Sequence, residues 1–158
     1  MAKDYLSKSI NAKASYLDRA GILEEVHSTP SFTVYAILSA SVINGYIAGA
    51  TLYIDSNNNL IADQSEFTGY YSDDNGYFSF DSTHSGAIIA AGGINTDTKL
   101  TNQLALFAAL EASVISPFTT LIYAYSLEYG TSIPNVETQV QQRLKVQEDV
   151  DLLHFDPY

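Results

Sequence analysis

Residues 50–81 read ATLYIDSNNNLIADQSEFTGYYSDDNGYFSFD, and the fold turns on how this stretch is parsed. ATLYID (50–55) is rich in β-branched and aromatic residues and reads as a strand. Asp73-Asp74-Asn75-Gly76 is a turn signal, because Asn and Gly tolerate positive φ. YFSFD (77–81) follows with the period-2 alternation of a half-buried strand. Between these lies DSNNNLIADQSE (55–66), which carries side-chain oxygens at Asp55, Asn57, Asn59, Asp63 and Glu66, positions 1, 3, 5, 9 and 12 of a twelve-residue loop. That is the ligand spacing of an EF-hand-type calcium loop. Ca²⁺ is a hard cation that takes six to eight oxygens, and a loop offering them at alternate positions can wrap one ion. The plainer reading is an Asx-rich hairpin loop, since Asn and Asp also favour turns. A strand leading into the loop, in place of a helix, makes it a clamp on the end of a sheet and not half of a helical sensor.

Moving outward, SFTVYAILSASVINGY (31–46) reads as strand, and GAIIAA (86–91) as a short buried strand ending at Gly92-Gly93. Short strands punctuated by turn residues have the rhythm of an antiparallel sandwich. LALFAALEAS (104–113) is helical by propensity. Ser116-Pro117 places a capping hydroxyl before a proline at the first helical position, and TTLIYAYSLEY then runs to Gly130, a natural stop. Ser132 and Pro134 open a second helix with Val136, Val140 and Leu144 spaced by four. Residues 1–28 carry a loose stripe of Leu6, Ile10, Ala14, Leu17 and Ala20, broken by Gly21. They read either as a short helix or as an extended arm docking on another subunit.

Composition narrows the function. The chain has 158 residues, enough for one domain with a real core. It has no cysteine, which excludes disulfides and zinc–thiolate sites and leaves a structural metal as one source of rigidity. Net charge is −11, and between Ala20 and Thr98 there are nine Asp/Glu and no Lys or Arg. That segment repels itself unless cations neutralise it. It disfavours nucleic acid and anionic membrane as partners. No apolar run approaches a membrane span, and no secretory signal opens the sequence. His27, His84 and His154 are scattered and lie in no catalytic pattern, so an enzyme is not expected. There are twelve Tyr and no Trp; Tyr46, Tyr53, Tyr70, Tyr71 and Tyr77 are expected around the metal end, packing the sheet and an interface. Asp73 and Asp74 would lie close to the loop if both turns share one end of the sandwich.

The segments GYIAGATLYIDSNNNLIADQSE, SDDNGYFSF, AAGGINTDT, VISPFTTLIYA and DVDLLHFDP together resemble prealbumin-like β-sandwich modules of large bacterial surface proteins and adhesins. These include the calcium-binding B-type repeats of serine–aspartate-repeat surface proteins. The resemblance spans roughly Gly45 to Pro157. It implies that Asp55, Asn57, Asn59, Asp63 and Glu66 are Ca²⁺ ligands, with Ile61 offering its backbone carbonyl at position 7. It also implies a strand or hairpin at 104–113, against the helical propensity. One departure is Leu60 at position 6, where the family usually has Gly; Asn58 and Asn59 can assist the turn by visiting the left-handed region. Internal isopeptide crosslinks of related domains need an early-strand Lys, and this chain has none between Lys13 and Lys99.

The expected fold is mainly β: an antiparallel Ig-like or prealbumin-like sandwich with a C-terminal helical hairpin. Residues 1–30 form an arm or short helix, 31–116 the sandwich with its calcium loop, and 117–158 a helical segment packed on it. The expected function is a non-enzymatic, Ca²⁺-stabilised structural or adhesion module of an extracellular or cell-surface assembly. The alternatives are a virion or filament subunit whose N-terminal arm docks on its neighbour, and a carbohydrate-binding accessory domain. Partners would be other subunits or modules of the same assembly, or a host surface or glycan, with no nucleic acid and no membrane insertion.

Overall fold

The computed structural model describes residues 12–17, 23–28, 36–83, 85–147 and 149–158. The chain divides into two compact units, Met1–Ala36 and Ile37–Tyr158. In the first, β1 (Ala12–Leu17) and β2 (Leu23–Ser28) pair antiparallel in register from Ala12↔Ser28 to Leu17↔Leu23. A helix over Ala14 and Leu17 is therefore replaced by a strand. Two apolar residues three apart are a weak helical signal, and a six-residue ladder satisfies the backbone groups that so short a helix would leave open. Leu6, Ile10, Ala20 and Gly21 lie outside the described residues.

The second unit is a β-sandwich with a C-terminal helical hairpin. One sheet has β10 (Leu106–Ala108), β8 (Ala87–Ala91), β5 (Thr51–Asp55) and β6 (Phe67–Tyr71) in that order. The other has β11 (Val114–Ile115), β3 (Ala36–Val42) and β7 (Tyr77–Ser82). β4 (Ile47–Ala48) and β9 (Ile94–Asn95) form a small ribbon beside them. The four-stranded sheet is antiparallel throughout its described pairs, but β11 joins β3 in parallel. The ambiguous segment 104–113 resolves as strand: Leu106 and Ala108 are buried opposite Ala90 and Ile88 of β8, so pairing overrides helical propensity.

Alternation sets the core. β7 buries Phe78, Phe80 and Ser82 and exposes Tyr77, Ser79 and Asp81. Leu38, Ala40 and Val42 of β3 join Phe78 and Phe80 from one sheet, and Leu52, Ile54, Ile88, Ala90 and Leu106 face them from the other, in one cluster. Each large side chain buried there contributes about 1.5–3 kcal/mol. β8 is buried on both faces, as a central strand covered by the opposite sheet and by helices must be.

α1 (Pro117–Tyr129) starts as the sequence predicts. Ser116 Oγ accepts from the Thr119 amide at 3.2 Å, and Thr119 Oγ1 accepts from the Ser116 amide at 2.8 Å. Gly130 ends the helix in the left-handed conformation, φ 58°. The first turn is stapled to β10: Thr119 donates to the Phe107 carbonyl, and the Phe107 amide donates to Thr120, each at 2.8 Å. α2 (Ile133–Leu144) buries Val136 and Val140, but Leu144, the next residue in the predicted stripe, is 48% exposed. The helix ends there, with Lys145 left-handed at φ 56°. Among the described residues no helix is long and apolar enough to cross a membrane.

Candidate metal centre

The loop 55–66 connects β5 to β6 at one end of the four-stranded sheet. Leu52 and Ile54 face the sandwich core, so Asp55, one residue further, falls on the other face, opposite Ala87 in register. It is fully buried. Its two carboxylate oxygens accept from the Asn59 and Leu60 amides, each at 3.0 Å. Asn57 Oδ1 accepts from the Asn59 amide at 2.9 Å, and Asn59 Oδ1 accepts from the Ile61 amide at 2.8 Å. Alternate side chains thus fold their oxygens back over the loop. Asp63 joins them by accepting from the side-chain amides of Asn59 (2.9 Å) and Asn57 (3.3 Å).

The structure therefore gathers Asp55, Asn57, Asn59 and Asp63. Glu66, in a single 3-10 turn at Gln64–Glu66, is held elsewhere: its Oε1 accepts from the Ser56 amide at 2.9 Å and the Ser56 hydroxyl at 2.8 Å. Its Oε2 is buried with no hydrogen-bond partner. The Ile61 carbonyl accepts from the Asp63 amide at 2.9 Å and keeps a second lone pair. Counting only His, Cys, Asp and Glu, no three side chains among the described residues group as a metal site; the gathered donors here are half asparagine.

The backbone answers the question raised by Leu60. Asn58 and Leu60, positions 4 and 6, are left-handed, at φ 58° and 59°; Asn59 is not among the positive-φ residues. For a leucine this conformation costs about 1–2 kcal/mol. The compensation is packing: Leu60 sits against a cluster of Ala87, Ala109 and Tyr123, with Phe107 and Ile133. Tyr123 of α1 also donates to Asn58 Oδ1 at 3.1 Å. Burial, then the negative charges of Asp55 and Glu111, raise its phenol above the ordinary value, so it remains a donor. The loop is thus fastened to the helical hairpin at two left-handed positions, Asn58 and Leu60, that flank Asn59. Sequence reasoning missed Ser56 and Tyr123, because neither contact leaves a local pattern. Gly86 lies under the same loop at φ 140°, and a Cβ there would collide with the Asp55 carbonyl.

The chemistry of this arrangement would suit a hard cation. A buried carboxylate served by two amides is expensive unless a positive charge compensates it. Among the described residues no Lys, Arg or His forms an ion pair with Asp55, Asp63 or Glu66; the ion pair found is His154–Asp151. The donors are all oxygens, which suits Ca²⁺ and not zinc or copper. The orphaned Glu66 Oε2 adds an unsatisfied acceptor to the same loop. The oxygens of Asp55, Asn57, Asn59 and Asp63 suit such an ion, and Glu66 would have to turn from Ser56 to join them.

Other sequence expectations are redistributed. The Asp73 turn is not beside the loop but at the far end of β6, about 16 Å away on a rise of ~3.3 Å per residue. There Ser72 bonds Ala50 at the start of β5. Nor do the five tyrosines gather at the loop. Tyr53 pairs with Phe67 near it, whereas Tyr71 pairs with Thr51 at the opposite end. Tyr77 follows the Asp73 turn, and Tyr46 packs against Tyr158 with its hydroxyl on Asp156. His84 lies outside the described residues, and His27 lies in β2. His154 clips the C-terminal segment, 2.9 Å from Asp151 Oδ2 and 3.2 Å from the Glu111 carbonyl. Comparison with protein-family models, with curated proteins and with solved structures finds no match to this chain.

Proposed function

We propose that the second unit is a non-enzymatic, Ca²⁺-stabilised structural or adhesion module of an extracellular or cell-surface assembly. The observation that carries the proposal is Asp55, a fully buried carboxylate with two amide partners and, among the described residues, no paired cation, in a loop where Asn57, Asn59 and Asp63 are drawn together beside it. Asp55, Asn57, Asn59, Asp63, the Ile61 carbonyl and Glu66 would hold the ion. When bound, Ca²⁺ supplies the missing positive charge and ties the end of β5 to the start of β6. The resemblance of residues 45–157 to prealbumin-like surface modules agrees with this role. Three carboxylates among the side-chain ligands suit the modest affinity of extracellular modules, filled at millimolar calcium. The partners of such a module are neighbouring modules or subunits.

The test is thermal and chemical unfolding in calcium and in chelator. Calcium at ten- to hundredfold excess over its Kd stabilises the folded state by about 1.4–2.7 kcal/mol. Asp55→Ala with Glu66→Ala abolishes the difference. Identical melting of the unaltered protein in calcium and in chelator overturns the proposal.

A further inference from the structure

The helical hairpin carries a pocket of its own, apart from the loop 55–66. Tyr125 and Tyr129 are four apart on α1, so they share one face, and their rings stack 5.6 Å apart and 16° from parallel. On α2 the same spacing aligns Val136 with Val140 and Gln139 with Arg143. These six residues line a pocket of about 50 Å³ between the helices. Val136 and Val140 are buried and form its floor, whereas Tyr129, Gln139 and Arg143 are exposed around it.

The polar groups of this pocket are uncommitted. Among the described residues, the phenols of Tyr125 and Tyr129, the Gln139 amide and the Arg143 guanidinium make no hydrogen bond, and Arg143 forms no ion pair. The site also concentrates scarce positive charge. Residues 37–158 contain three cations, Lys99, Arg143 and Lys145, against fourteen acids (the eighteen of the chain less Asp4, Asp18, Glu24 and Glu25). Two of the three cations stand at the end of α2. An anion is repelled over most of this unit and meets an unpaired guanidinium here.

The size and the groups select the occupant. A pocket of about 50 Å³ has room for a few waters, and so for one edge of a small molecule and not for a helix or a strand. Stacked phenol rings offer apolar faces to the C–H face of a sugar ring. Two phenols and a primary amide can each donate to and accept from sugar hydroxyls. The guanidinium fork matches a carboxylate in two parallel hydrogen bonds. An apolar peptide side chain would leave all four groups unpaired.

We propose that the pocket between α1 and α2 binds a uronic acid, with its carboxylate on Arg143 and its ring against Tyr129. The assignment does not rest on calcium.

The test is a titration of the full chain with sodium glucuronate, glucose and acetate, followed by amide chemical shifts. Glucuronate should give saturable shifts, at millimolar concentration, centred on the hairpin between Tyr125 and Arg143. Glucose and acetate should each bind at least about tenfold more weakly, since each offers only half of the recognised chemistry. Arg143→Gln should weaken glucuronate about tenfold, and Arg143→Lys, which keeps the charge without the planar fork, should recover part of the loss. Tyr129→Ala should weaken it through the lost ring contact. Arg143 and Tyr129 are exposed, so each variant should melt close to the unaltered chain. Absence of any saturable shift overturns the inference, as do shifts that map away from the hairpin. So does an equal response to acetate or to glucose, or glucuronate binding indifferent to Arg143→Gln.

Discussion

The loop 55–66 and the turn 73–76 are built from the same residues, Asp, Asn and a left-handed position, and sit at opposite ends of β6. They solve the backbone problem differently. At the turn, Asp73 Oδ1 accepts from the Asn75 and Tyr77 amides at 2.8 and 2.9 Å, and Gly76 donates to the Asp73 carbonyl at 3.0 Å. Asp73 is exposed, so water screens its charge. At the loop, Asp55 makes the same kind of bond while fully buried. The left-handed positions are Gly76 in one case and Asn58 and Leu60 in the other. The turn completes itself; the loop leaves a charge to be matched and leans on the helices. Identical local chemistry leaves a carboxylate fully buried only where the sheet covers it.

The comparison breaks most visibly at the two aspartates. Asp55→Asn should cost about 3 kcal/mol in saturating calcium, chiefly the lost binding energy. In chelator it should cost about 1 kcal/mol, because relief of the buried charge offsets the mismatch at the Leu60 amide. Denaturant unfolding in the two buffers measures the difference; equal costs would place Asp55 on a level with Asp73. Next in size is Gly76→Ala. A Cβ there meets the Val42 carbonyl at 3.0 Å and the Ile47 amide nitrogen at 3.1 Å, with φ at 78°. A loss of about 2 kcal/mol is expected, the same with and without calcium. Leu60→Gly should cost about 1 kcal/mol, the lost packing on Tyr123 and Ile133 exceeding the backbone strain relieved. Calcium titration should find its affinity unchanged, since position 6 offers no side-chain ligand.

The smallest effect lies outside both loops. Partial burial pushes the Asp151 carboxyl up, but the hydrogen bond and charge of His154, with the Leu153 and His154 amides, bring it below its ordinary value of 3.8. A depressed folded-state value gives stability that is present above the unfolded value and lost as pH falls through the folded one. Asp151→Asn should therefore lower the melting temperature slightly at neutral pH and not in strong acid. A pH series of melts distinguishes this from a pH-independent packing loss.

Much of the second unit is legible because its signals are local. Ser116-Pro117 and Gly130 bound α1, and Asn75-Gly76 with the alternation of YFSFD marks β7. The ligand spacing of 55–66 is equally local, and four of its side chains do converge. What could not be read is which distant pieces share an end of the sandwich. β6 is one strand long, so the Asp73 turn is carried away from the loop, and Tyr71 and Tyr77 travel with it. The fit of Leu60 under α1 depends on a helix that begins 57 residues later (117 − 60). β1 and β2 hid behind a stripe too short to discriminate between periods.

The seam between β6 and β7 has a kinetic consequence. β8 is hydrogen-bonded on both sides, to β10 and β5, whereas among the described residues β6 is bonded only to β5, with a register shift between Thr51 and Tyr53. Covalent continuity through residues 72–76 joins β6 to β7 at one end, and toward the other the Tyr70–Phe80 rings hold the edges together, a contact worth about 0.5–1.5 kcal/mol beyond its area. Amide protons of β6 should therefore exchange with solvent through local opening, and those of β8 only through global unfolding. The sandwich opens like a book whose spine runs along β10 and β11 and whose fore-edge is fastened by a pair of rings.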